Sequence, residues 1–330
     1  MMGYTQSVTD PSYHGQILCQ TYPLIGNYGI CGEEFESANP KITGYVVYEA
    51  CAAPSHYTSQ MSLDRWLRDA GVPGIQGIDT RELTKTLRTE GTMIGALEVS
   101  GDPVDTGRLI EIAKTAEDPN CRDLISEVTI GRPVVHPGNG KKVVLIDCGM
   151  KMGIVRSLLK RGIGVTRVPA NYGADRIISM KPDGVFISNG PGDPKRVPYV
   201  TEAVRSLLEY KIPVMGICLG NQILGLALGC DTYKLKFGHR GQNHPAMDKS
   251  TGRCYITSQN HGYSIDPDSV RDNDIDISFV NVNDGTVEGI EHRKLPAFGV
   301  QFHPEARPGP VDTGFLFDKF VRMMENGKGQ

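Results

Sequence analysis

From Val143 onward the chain alternates short apolar runs with stretches of helical periodicity, and few architectures absorb that pattern. The runs Val143 to Ile146, Val165 to Val168, Val185 to Ser188 and Val214 to Ile217 read as strands. Between them, Met150 to Lys160, Asp175 to Met180 and Tyr199 to Tyr210 read as helices, and another begins near Asn221. Short apolar strands separated by helices predict a doubly wound, mainly parallel sheet, buried on both faces. In such sheets ligands bind beyond the carboxyl ends of the strands, here the loops after Ile146, Ser188 and Ile217.

The length of 330 residues predicts two domains at about 150 residues each. Two prolines and two glycines in Arg132-Pro133-Val134-Val135-His136-Pro137-Gly138-Asn139-Gly140-Lys141-Lys142 break all periodicity just before Val143. The boundary is placed there, giving domains at 1–135 and 141–330. The first reads as small and α+β, with strands at Gly44 to Tyr48 and Met93 to Val99 and helices at Ser62 to Ala70 and Asp79 to Leu87. Asp79 with Glu82 has the form of a capping box.

Composition removes several function classes. Thirty-five Lys and Arg against thirty-eight Asp and Glu leave a net charge of −3, with no basic run, so nucleic acid is not an expected partner. Apolar stretches such as Ile223 to Leu228 fall short of the roughly 18 residues of a membrane span, and no secretory leader is evident. The chain is read as cytoplasmic. Its eight cysteines include no C-x-x-C pair, which argues for reduced thiols and against a disulfide framework or a zinc site.

Gly216-Ile217-Cys218-Leu219-Gly220 places a thiol between two glycines at a strand-to-helix junction. The glycines let a sharp turn close without a Cβ clash. A thiol so placed stands above the sheet at a helix N-terminus, where the dipole and free N–H groups favour thiolate. The residue also reads as a small buried hydrophobe, and spacing alone leaves both readings open. Gln301-Phe302-His303-Pro304-Glu305 follows the strand-like Ala297 to Val300. A His two residues before a Glu lets the carboxylate fix the imidazole's tautomer and raise its basicity. Cys, His and Glu in that order is one of several chain orders a triad takes. Seven other histidines leave a surface or capping role open for His303. In the rigid loop Ser188-Asn189-Gly190-Pro191-Gly192-Asp193-Pro194, backbone N–H groups can join that of Leu219 as an oxyanion hole. A phosphate cradle is set aside, because neither G-x-x-x-x-G-K-[ST] nor G-x-G-x-x-G occurs.

These three motifs together resemble the class I (triad) glutamine amidotransferases. Further segments resemble the small subunit of carbamoyl phosphate synthetase: Thr9-Asp10-Pro11-Ser12-Tyr13, Thr21-Tyr22-Pro23-Leu24-Ile25-Gly26-Asn27, Gly77-Ile78-Asp79-Thr80-Arg81, Phe237-Gly238-His239-Arg240-Gly241-Gln242-Asn243-His244-Pro245 and Gln259-Asn260-His261-Gly262-Tyr263. The resemblance implies that Cys218 attacks the side-chain amide of glutamine, with His303 as general base and then acid, and Glu305 orienting His303. It implies a thioester hydrolysed to glutamate, and glutamine contacts at Ser12, Gly190, Gly192, Leu219, Gln222, Asn260, Gly262 and Tyr263, in a pocket against the domain interface. Ammonia then passes to a large subunit that uses bicarbonate, ATP and magnesium, so no cofactor or metal is expected on this chain. Family members carry strand-forming residues ahead of the segment matching Met2-Gly3-Tyr4, so a truncated start is expected. Asn221, where many relatives carry histidine, is given no catalytic role.

The remaining polar clusters have plainer readings. His239 and His244 lack a third metal ligand at a recognisable spacing and read as structural. Asp272, Asp274 and Asp276 read as a solvated turn, lacking the Gly and closing Glu of a calcium loop. Lys234, Lys236 and Arg240 suit either a partner's acidic surface or a solvent-facing strand. Against the leading function stand a free-standing cysteine amidohydrolase, an amidotransferase subunit of another synthase, and a binding scaffold with an idle triad.

Overall fold

The structure, a computed structural model, describes residues 3–326. It forms two compact units that divide between Cys121 and Arg122. In the first, β1 (Ile17–Cys19), β3 (Gly44–Val46) and β5 (Gly74–Ile75) make a parallel sheet in the order β1-β3-β5, and β2 (Leu24–Ile25) pairs with β4 (Glu49–Ala50). Around them lie α1 (Tyr4–Thr9), α2 (Leu63–Asp69), α3 (Thr80–Glu90) and α4 (Thr106–Thr115). Tyr4, Ile25, Ile30, Tyr45, Leu63 and Trp66 form the core, where Trp66 stacks on Phe35 at 5.0 Å. Asp79 caps α3 by accepting from the Glu82 N–H at 2.9 Å, as its spacing predicts. Met93 to Val99 is not a strand: it pairs with no described strand, and Met93, Ile94 and Val99 are exposed. Apolar residues without a partner strand do not make a sheet.

In the second unit α5 (Ile125–Val128) precedes β6 (Val134–His136), which lies inside the Pro/Gly segment and pairs antiparallel with β8. Then follow β7 (Lys142–Asp147), α6 (Met152–Leu159), β8 (Gly164–Pro169), α7 (Ala174–Ser179), β9 (Gly184–Ile187), α8 (Pro198–Glu209), β10 (Val214–Ile217) and α9 (Leu219–Ala227). The chain continues through β11 (Thr232–Asp248), β12 (Cys254–Ile265), β13 (Ile275–Asn281), β14 (Val287–His292), β15 (Ala297–Val300) and α10 (Phe315–Asn326). One ten-stranded sheet runs β12-β11-β13-β14-β15-β10-β9-β7-β8-β6, and the stretch from β15 to β8 is parallel.

Alternation along β7 shows why this sheet is covered on both faces. Val144 and Ile146 pack with Val200, Val204, Leu219 and Ile223 from α8 and α9. Val143 and Leu145 pack with Ile154, Leu158, Phe317 and Phe320 from α6 and α10. Burying apolar side chains on both faces is the main stabilising contribution, at roughly 25 cal/mol per Å². The carboxyl ends of β7, β9 and β10 converge on one edge of this layer.

At the end of β10 the backbone turns sharply into α9 at Cys218, with φ 55 and ψ −106. A Cβ on Gly216 would overlap the Gly220 carbonyl, and one on Gly220 the Ile187 carbonyl. Both glycines are therefore required by close backbone approach. Positive φ at a side-chain-bearing residue is strained and is held by the elements on either side.

Candidate active site

The turn points the Cys218 thiol at the sheet's edge strand. Its Sγ lies 3.6 Å from the Asn260 carbonyl on β12, which the sheet order places at the border. His303 follows β15, the parallel neighbour of β10, and its N–H donates to the Ser258 carbonyl of the same edge at 2.9 Å. Two chain-distant residues are thus docked on one strand.

His303 Nδ1 hydrogen-bonds Glu305 Oε1 at 2.7 Å, which directs that nitrogen's proton to the carboxylate. The far nitrogen, Nε2, is buried and has no nitrogen or oxygen partner among the described residues. Burial disfavours the imidazolium, yet the Glu305 carboxylate outweighs it, with help from Cys218 and against Lys151, and His303 is pushed up to about 10. Burial likewise opposes the Glu305 carboxylate, but the Lys151 ammonium and then His303 bring it down to about 2.

Lys151 was not anticipated from the sequence. Its Nζ lies 3.0 Å from Glu305 Oε1 and donates to the Ala306 carbonyl at 2.7 Å, with its side chain 3% exposed. The available signal was its place in the loop after β7, one of the three strand ends where ligands are expected. That loop is built on hydrogen bonds: Asn189 Oδ1 accepts from the Lys151 N–H, Asn189 Nδ2 donates to the Gly149 carbonyl, and Ser188 Oγ accepts from the Cys148 N–H.

These ionisations set a pH window. Glu305 is depressed below its usual 4.5, so its contribution is present above that pH and lost as pH falls toward about 2. His303 is raised above its usual 6.5, so its contribution is complete below that pH and lost as pH rises through about 10. Thermal melts of the wild-type chain against a Glu305→Gln variant check this. The gap in melting temperature is widest between about pH 4.5 and 6.5 and narrows toward either end.

The other candidate residues fall as follows. Gly190 and Gly192 lie in the loop after β9, and a Cβ on Gly190 would overlap the Cys148 carbonyl and crowd Leu219 at 2.8 Å. Leu219, first in α9, carries one of the N–H groups that a helix start leaves without an intrahelical acceptor. Gln222, one turn on, donates from Nε2 to the Tyr263 carbonyl at 2.8 Å and to Gln301 Oε1 at 3.1 Å. Asn260, Gly262 and Tyr263 lie on β12. Ser12 belongs to the first unit, in a short turn where its N–H donates to Asp10 Oδ1 at 2.9 Å. Asn221 is fully buried, and neither end of its amide has a hydrogen-bond partner among the described residues.

Among the acidic residues, Asp276 pairs with Arg293 and Asp274 with Lys294, while Asp272 accepts from the Asp274 N–H. No described helix is long and apolar enough to cross a membrane.

Comparison with known proteins agrees with this geometry. The sequence model of the class I glutamine amidotransferases matches residues 144–323, and that of the carbamoyl-phosphate synthase small chain, CPSase domain, matches residues 1–97. The carbamoyl phosphate synthase small chain of Listeria monocytogenes serotype 4b is 49% identical over 328 residues, covering 99% of this chain and 89% of its own length. That of Methanopyrus kandleri is 51% identical over 324 residues, covering 97% and 89%. A solved structure of a candidate GMP synthase protein from Thermoplasma acidophilum shares the fold, with a TM-score of 0.51 at 20% identity over 59% of this chain and 98% of that one. With near full-length relatives at this identity and both family models matched, the chain belongs to the carbamoyl phosphate synthase small-chain family.

Proposed function

We propose that this chain hydrolyses glutamine to glutamate and delivers the ammonia to a large-subunit partner, which uses it with bicarbonate and ATP to make carbamoyl phosphate. Magnesium and ATP are partner components in this reading. The small-subunit domain is assigned to the first unit, which ends at Cys121 rather than at the expected 135, and the amidotransferase domain to the second, from Arg122. The observation that carries it is a strained, helix-starting cysteine docked against the same edge strand as a histidine whose other nitrogen is held by a buried carboxylate.

The chemistry follows from the residues. Made strongly basic by Glu305, His303 holds the proton drawn from the thiol, and Cys218 adds as thiolate to the side-chain carbonyl of glutamine. The charge that develops on that oxygen meets the N–H groups of Leu219 and the Gly190 loop. The carbon–nitrogen bond then breaks, and His303 returns the proton to the departing ammonia, leaving a γ-glutamyl thioester. Water, deprotonated by His303, hydrolyses it to glutamate and restores the thiol. Glu305 keeps the imidazole aligned and stabilises its charge in both halves. Gln222, Asn260, Gly262, Tyr263 and Gly192 complete the glutamine contacts in this reading.

Coupling tests it. Ammonia release from glutamine is expected to be slow for the isolated chain and at least tenfold faster once the matching large subunit is added, a change of about 1.4 kcal/mol in the barrier. A rate indifferent to the partner points instead to a free-standing amidohydrolase.

A further inference from the structure

Behind the wall that carries Asn260 lies a buried polar cluster that the chemistry above does not use. Along β12 the side chains of Gln259 and His261 are buried, whereas Asn260 and Gly262 are partly open. Alternation thus gives this strand a sealed face and an open one. On the sealed face, His239 of β11 hydrogen-bonds Asp284 Oδ2 through Nε2 at 2.8 Å and Gln259 Oε1 through Nδ1 at 2.9 Å. Its Nδ1 also stands 3.3 Å from the fully buried carboxylate of Glu288.

Thr257 orients the Gln259 amide. Thr257 Oγ1 gives its single proton to the His244 carbonyl, so it accepts from Gln259 Nε2, and the amide oxygen of Gln259 must face the imidazoles. His239 Nε2 meets the Asp284 carboxylate and Nδ1 the Gln259 oxygen and the Glu288 carboxylate, acceptors that favour the doubly protonated ring, while Asn281 Nδ2 also stands 3.4 Å from Nδ1. Burial opposes that form, but hydrogen bonds and charge from Glu288 and Asp284 outweigh it and raise the His239 pKa. His261 shares the same acceptor, Gln259 Oε1, at 3.0 Å, and its Nδ1 lies 2.8 Å from the Tyr263 carbonyl. That carbonyl also takes the Gln222 Nε2 bond, and Gln222 reaches Gln301, two residues before His303. The donor atoms of His239, His261 and Glu288 lie within 4.8 Å of one another, and the Gln259 oxygen, bonded to both rings, knits them together.

We propose that His239, held between Asp284 and the Gln259–Glu288 pair, is a positioning residue for glutamine binding. It acts through Gln259 and His261 to fix the edge strand from Asn260 to Tyr263. This rests on the glutaminase reading. Because the cluster lies behind the strand and touches neither Cys218 nor Glu305, its loss degrades substrate affinity more than the bond-breaking steps.

The test uses the assembled two-subunit enzyme and His239→Phe combined with Glu288→Gln. Phenylalanine keeps the ring that packs between His244 and His261, at 5.1 and 4.9 Å, and removes both donors. Glutamine at 288 keeps an acceptor for Asn281 Nδ2 while removing the buried charge that would otherwise stand alone. The expected result is a KM for glutamine raised about tenfold, with kcat within threefold and synthesis from added ammonium unchanged. A KM within twofold of wild type, or a loss carried by kcat, overturns the proposal. Should the double variant fail to assemble, Asp284→Asn decides, since that side chain is 43% exposed and its loss spares the core. There a KM raised about threefold supports the proposal and an unmoved KM overturns it. Wild-type complex without glutaminase activity overturns the underlying function as well, whereas an active wild type with an unmoved variant overturns the positioning role alone.

Discussion

Replacing Cys218 by serine lowers glutamine hydrolysis by about 10⁴-fold or more, the scale seen when a triad loses its nucleophile. The same complex keeps its synthesis from added ammonium. The substitution changes one atom in a site whose shape is set by backbone contacts around Gly216 and Gly220, so folding is unaffected. What changes is the leaving proton, because a hydroxyl holds it far more tightly than a thiol and an imidazole cannot remove it as readily. Ammonium-driven synthesis separates loss of chemistry from loss of assembly. A serine variant that retains a tenth of wild-type glutaminase removes Cys218 from the mechanism.

The second large effect concerns Lys151→Met. This leaves the Glu305 carboxylate, with 0% side-chain exposure, without its ammonium counter-charge, and breaking one partner from a buried pair costs about 3–5 kcal/mol. For a chain of this size each kcal/mol lowers the melting temperature by about 2–4 °C, so a fall of roughly 6–20 °C is expected. Glutaminase falls too. Without the ammonium the carboxylate is less firmly ionised, and its hold on His303 weakens at neutral pH. Differential scanning calorimetry and an ammonia-release assay read the two effects separately. A variant melting within about 2 °C of wild type shows that Lys151 is not what sustains Glu305.

The central layer of the second unit was legible because most of its strands are short apolar runs followed by a helix. The expected Val214 to Ile217 matches β10 to the residue, and β7, β8 and β9 differ by one residue at each end. The ribbon of β11 and β12 was not legible. Its 17- and 12-residue strands carry register shifts between Lys234 and His239 and between Gly241 and His244. Each bulge resets the two-residue period on which strand reading depends. The same irregularity hid the role of His239, whose partners Gln259, Asp284 and Glu288 come from later strands and turns. Cys218, His303 and Glu305 were readable because the elbow and the His-x-Glu spacing are local. Lys151 was not, since its partner lies 154 positions further along the chain. Met93 to Val99 shows the converse error, a largely apolar run with no neighbour to pair with.

The elbow has a mechanical consequence. Its backbone is wedged so closely between β9, β10 and the start of α9 that one added methyl group on either side would collide with a carbonyl. The sulfur therefore moves only when the sheet moves, and a packed parallel sheet is the stiffest part of such a molecule. Acceleration by a docked partner cannot come from swinging the nucleophile into place. It has to act on what surrounds the sulfur, which is itself an anvil that stays still.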